Sequence, residues 1–61
     1  MYYVEDRGNE LLIHEYSGTP HFTVWFNGDV TNYNLSGNIL SISYTNGNVE
    51  VYDVDSRSRI R

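Results

Sequence analysis

The sequence predicts an all-β fold, and three observations carry that expectation. Five glycines, Gly8, Gly18, Gly28, Gly37 and Gly47, recur at nearly even spacing along the 61 residues. The runs between them are rich in Val, Ile, Tyr, Phe and Thr, side chains suited to a pleated, half-buried surface. The chain also lacks Ala, Gln and Lys, three of the better helix formers. Together these give a single antiparallel meander of five to six short strands.

Each element follows from its turn. Asp6-Arg7-Gly8-Asn9, read as a four-residue loop, places Val4 opposite Leu11 and Tyr2 opposite Ile13. Ser17-Gly18-Thr19-Pro20 pairs Ile13 with Val24 and Leu11 with Phe26. Asn27-Gly28 is a strong hairpin signal, because a type I′ turn needs positive φ at both central residues. It sets Trp25 opposite Val30 and Val24 opposite Thr31. Ser36-Gly37 pairs Tyr33 with Leu40 and Thr31 with Ile42. Asn46-Gly47, the second strong signal, sets Tyr44 opposite Val49 and Ile42 opposite Val51. Even-length loops keep each residue on its partner's face.

One face then collects Tyr2, Val4, Leu11, Ile13, Phe22, Val24, Phe26, Tyr33, Leu40, Ile42, Tyr44, Val49 and Val51, the expected core. That apolar layer must be covered. The sheet either curls into a small barrel or roll, or packs face-to-face against another copy as an oligomer. A faint 19-residue repeat, Glu10–Gly28 against Asp29–Gly47, fits two strands per unit.

Size and charge narrow the class. A chain this short buries only about 60% of its unfolded surface, so its stability is marginal. With no Cys there is neither a disulfide nor a thiolate metal site, and self-association gains weight. Eight acids against the single base Arg7 leave residues 1–55 at −7, and Arg57, Arg59 and Arg61 bring the chain to −4. Residues 1–55 read as one domain and residues 56–61 as an arginine-rich flexible tail. An acidic body disfavours nucleic acid as a partner, since phosphate binding rests on Lys and Arg; the three tail arginines are the only basic cluster. No apolar run is long enough to span a membrane, and no secretory leader is recognisable, so the expected location is cytoplasmic.

The segment Asn46-Gly47-Asn48-Val49-Glu50-Val51-Tyr52-Asp53-Val54 resembles the blade-closing strand of WD-repeat propellers, with Tyr52 where Trp is usual. A propeller needs at least about four blades of about 40 residues. The resemblance therefore implies a hairpin and carries no function.

The face opposite the core supplies the functional candidates. Tyr3, His14, Tyr16, His21, Trp25, Asn32, Asn34 and Tyr52 combine large rings with hydrogen-bonding tips, the mixture that protein interfaces favour. His14 and His21 fall diagonal to each other in this register, but no third ligand joins them, so neither a metal nor another cofactor is expected. No nucleophile sits beside a base, and the paired acids Glu5/Asp6 and Asp53/Asp55 fall in turns or at strand ends, so catalysis is not expected. The reading is a non-catalytic module that binds a protein partner through this aromatic-polar face and associates with itself, in the style of phage or mobile-element accessory and inhibitor proteins. The alternatives are a domain that stacks sugar or nucleotide rings, and a self-assembling structural subunit.

Overall fold

The computed structural model describes all 61 residues and contains seven strands and no helix. The strands are β1 (Tyr2–Asp6), β2 (Glu10–Glu15), β3 (Pro20–Trp25), β4 (Val30–Ser36), β5 (Ile39–Tyr44), β6 (Val49–Asp53) and β7 (Ser58–Arg59). The all-β expectation holds, but the meander is broken once. β1-β2-β3 form one antiparallel sheet and β4-β5-β6-β7 a second. The two sheets pack their apolar faces together within a single chain, as a stacked pair and not a closed barrel. Leu11, Ile13 and Val24 from the first sheet meet Leu40, Ile42, Tyr44 and Val54 from the second half of the chain, all buried. No second copy is needed to cover the oily layer.

The break falls at Asn27-Gly28, one of the two strong turn signals of the sequence. Asn27 keeps a negative φ, since Arg57 is the only non-glycine residue with a positive one, so no type I′ turn forms. The strand ends are tied elsewhere. The Phe26 N–H donates to the Asn9 carbonyl at 3.3 Å, and the Thr45 N–H donates to that of Asp29 at 2.8 Å. Asn27 crosses to the second sheet, its N–H bonded to the Tyr44 hydroxyl at 3.1 Å.

Two further turns place glycine first and not second. Gly8-Asn9 and Gly37-Asn38 are two-residue loops with Gly8 at φ 92° and Gly37 at φ 61°. The registers become Val4↔Ile13 and Tyr33↔Ile42. Each slides by two residues from the expected pairing, which leaves every side chain on its predicted face.

The β2–β3 and β5–β6 hairpins use three-residue loops. Glu15 N–H donates to Thr19 O at 2.8 Å and Gly18 N–H to Glu15 O at 2.8 Å; Tyr44 N–H donates to Asn48 O at 2.9 Å and Gly47 N–H to Tyr44 O at 3.0 Å. An odd loop moves the returning strand by one residue and reverses its faces. Between β2 and β3 a bulge at His21 restores parity, so Ile13 still faces Phe22. Between β5 and β6 nothing restores it, and Ile42 faces Glu50. The expected core members Val49 and Val51 therefore point outward, Val49 at 49% exposure. Glu50, Tyr52 and Val54 point in. A second bulge, at Thr31, turns Val30 inward as well.

The paired loops expose a repeat different from the expected one. Gly8-Asn9-Glu10-Leu11-Leu12-Ile13 aligns with Gly37-Asn38-Ile39-Leu40-Ser41-Ile42, and Gly18 aligns with Gly47. Each unit is three strands, not two, and β7 joins the second unit as a fourth strand of its sheet. Residues 56–61, set apart by the sequence, are hydrogen-bonded to the domain. β7 pairs with β6, and Ile60 N–H donates to Val51 O at 2.7 Å.

The flipped strand makes a sharp prediction. Val54→Ala removes two buried methyls and is expected to cost about 2 kcal/mol. Val49→Ala is expected to cost less than about 1 kcal/mol, the span of strand propensity. Urea unfolding midpoints of the two variants check the order, and the reverse order would restore the two-residue turn.

Candidate functional site

The structure divides the eight candidate residues among four places. Tyr3, His14 and Trp25 share the outer face of the first sheet with Leu12 and Thr23, in the rows Tyr3↔His14, Leu12↔Thr23 and Glu10↔Trp25. Tyr16 stands at the loop beyond β2 and is 74% exposed. Asn32 and Asn34 lie on the outer face of the second sheet, opposite Ser43 and Ser41. His21 and Tyr52 turn into the core and leave the predicted surface altogether.

On the first sheet the rings are held in place. The His14 imidazole stacks on Tyr3 with centroids 4.8 Å apart and planes 13° from parallel. Its Nε2 lies 2.9 Å from Glu5 Oε1 and its Nδ1 3.3 Å from the Gly18 carbonyl. Both partners are acceptors, and a neutral imidazole has a single N–H, so the ring donates to one of them at a time. Trp25, at the end of β3, is 61% exposed and Tyr3 is 44% exposed. A rigid sheet thus displays two large rings to solvent.

His21 serves the interior. Its Nε2–H donates to the Val54 carbonyl at 2.7 Å, its Nδ1 accepts from Arg57 at 3.3 Å, and its ring lies 4.8 Å from Tyr2. Arg57 also donates from Nε to the His21 carbonyl at 3.0 Å, and the Tyr2 hydroxyl donates to Asp55. These bonds tie the first sheet to the segment after β6. The expected diagonal of two histidines does not form, because the bulge turns His21 inward.

Sequence reasoning missed the most structured polar group, Glu50, which is only 5% exposed. Its Oε1 accepts from Tyr44 at 2.7 Å and Tyr52 at 3.2 Å; its Oε2 accepts from Asn27 Nδ2 at 2.6 Å. Arg59 on β7 stands 3.4 Å away. Burial opposes the charge, but the three hydrogen bonds and Arg59 outweigh it and hold the carboxyl below its usual range. Burial and the Glu50 charge push the Tyr52 hydroxyl up to about 12. The carboxylate is spent on its own neighbours, which makes this a structural hub.

A cleft of about 360 Å³ opens where the β1–β2 turn meets the crossover to β4. Asp6, Phe26, Asp29, Asn32 and Tyr33 line it, with Gly28 at its edge. Asp6 Oδ1 accepts the Gly8 N–H at 2.9 Å, which fixes that carboxylate. Burial, followed by the charge of Asp6, raises the Tyr33 hydroxyl and keeps it protonated. This cleft exists only because β3 and β4 part company, so a reading that joined them in one hairpin had no place for it. Comparison of the chain with protein families, with curated proteins and with solved structures returned no match.

Proposed function

We propose that this protein is a non-catalytic interaction module that binds a protein partner through the outer face of its three-stranded sheet. The observation that supports the reading is Trp25, 61% exposed on a strand, on a face that also displays Tyr3. Exposed tryptophan and tyrosine on a rigid element offer large contact area at small entropic cost, and such residues dominate interface energetics. The partner is a different protein: the apolar faces that would have called for a second copy cover one another within the chain.

Trp25→Ala is expected to weaken partner binding by about 2 kcal/mol, or roughly thirtyfold in Kd. Its urea midpoint should stay close to that of the parent protein, because the ring is largely solvated. Affinity capture with the parent, Trp25→Ala and Asn34→Ala identifies the partner as whatever the first and third retain and the second loses. Calorimetry on that protein then gives the ratio. Equal retention by all three variants would overturn the reading.

A further inference from the structure

We propose that the cleft between the β1–β2 turn and the start of β4 is a receptor for a guanidinium or ammonium group, contributed by an arginine- or lysine-bearing segment of the partner. The inference rests on the reading above and names the chemistry of that partner. Two carboxylates, Asp6 and Asp29, line the cleft, and no arginine or histidine lies within ion-pair distance of either of them. Arg7, the nearest base in sequence, is not among the lining residues. The cleft therefore holds negative charge that the protein itself leaves uncompensated.

The rest of the lining suits an organic cation. Phe26 and Tyr33, which pack against the core, also line the cleft, and a cation over an aromatic ring is attracted by its quadrupole. Asn32 adds an amide. The Asp6 carboxylate is positioned in advance by the Gly8 N–H, and the backbone that carries Asp29 is fixed by its carbonyl, which accepts from the Thr45 N–H at 2.8 Å. A volume of about 360 Å³ fits one long side chain and not a folded element.

Other occupants fit less well. Calcium needs about six or more oxygen ligands, and no group of three acids or histidines exists here to hold a metal. Two of the tail's three arginines are committed, Arg57 on His21 and Arg59 beside Glu50, and the Arg61 backbone is bonded to Val51 on β6. Charge complementarity points outward, since residues 1–55 carry eight acids and one base. Trp25 immediately precedes Phe26 at the same end of β3, so a partner seated on the Trp25 face reaches the cleft with one side chain.

The test is an amide NMR titration of the full chain with Nα-acetyl-arginine amide, with the matching citrulline derivative as an uncharged isostere. Saturable millimolar shifts are expected at Gly8, Gly28, Asp29 and Thr31. Affinity should fall about tenfold for citrulline and for Asp6→Asn or Asp29→Asn. Asp6→Asn keeps an oxygen for the Gly8 N–H, and Asp29→Asn provides a second route should the first variant not fold. Absence of saturable shifts in the cleft, equal binding of citrulline, or stronger shifts with calcium chloride would each overturn the proposal. Trp25→Ala should leave this titration intact. A partner lost on Trp25→Ala without any arginine binding would overturn the cleft alone, whereas arginine binding with equal capture by all variants would overturn the interaction face alone.

Discussion

Glu50→Ala is expected to destabilise the protein by roughly 3–5 kcal/mol, a large share of the total for a chain of this length, which is on the order of 3–9 kcal/mol. The loss does not come chiefly from the Arg59 pair, because that guanidinium is half exposed and surface pairs contribute little. It comes from inside. The Tyr44 hydroxyl is buried and loses the acceptor for its proton, and the part-buried Tyr52 hydroxyl loses the same oxygen, whereas the exposed Asn27 amide exchanges its 2.6 Å partner for water. Each buried group left unsatisfied costs about 1–3 kcal/mol, and the vacated side chain leaves a cavity between the sheets. Glu50→Gln is expected to cost less than half as much. Its oxygen can still accept from both tyrosines, and Asn27 can turn its own oxygen to the new amide. Urea unfolding of the two variants against the parent decides, and an alanine variant within about 1 kcal/mol of the parent would show that the hub is not holding the sheets together.

The same residue contributes to the acid sensitivity of the fold. Its folded carboxyl titrates below the ordinary glutamate value of about 4.3. A group depressed in this way stabilises the fold above its unfolded value, and that contribution is lost as pH falls through the folded one. The parent should therefore weaken progressively below about pH 4.3, and Glu50→Gln should lack that share of the loss. Tyr52 acts with the opposite sign. Raised to about 12 from an ordinary value of about 10, it contributes fully below about pH 10, and its contribution is lost as pH rises through about 12.

Much of this architecture was legible in residue order, and the part that was not has a local cause. Leu11, Ile13, Val24, Leu40 and Ile42 sit in the core as alternation alone predicts, because a two-residue slide at Gly8 or Gly37 preserves parity. Val49 and Val51 failed for want of one residue. Asn46-Gly47 reads equally well as a two-residue loop or as the end of a three-residue loop, and only the second puts glycine alone at positive φ. That ambiguity also hid Glu50, which sits between two valines and looks like the polar half of an alternating strand. The signal that could have settled it is the match of Gly8-Asn9-x-Leu-x-Ile with Gly37-Asn38-x-Leu-x-Ile. It makes each half a unit of three strands, with β7 added to the second, and places a sheet boundary near Asn27-Gly28. The candidate face suffered from the same error, since joining the halves through that turn brought Asn32 and Asn34 beside Trp25.

Ile42→Ala should be the most damaging apolar substitution of the second sheet, at about 2–5 kcal/mol, with Ile42→Val at about 0.5–1.5 kcal/mol. Ile42 is fully buried on β5, between Tyr33 on one neighbouring strand and Glu50 on the other. Its counterpart by the repeat, Ile13, is equally buried on β2, the central strand of the first sheet. Neither sheet has a second apolar layer of its own, so each is stable only against the other. Ile13→Ala should accordingly cost a similar amount, and both variants should unfold in one transition that moves the whole molecule. Tryptophan emission follows Trp25 on the first sheet, while far-ultraviolet circular dichroism follows both sheets together. Coincident urea curves from the two probes in each variant are the expected result. A fluorescence transition left in place while Ile42→Ala lowers the circular dichroism midpoint would mean that the first sheet stands alone, and that the shared core does not hold the fold together.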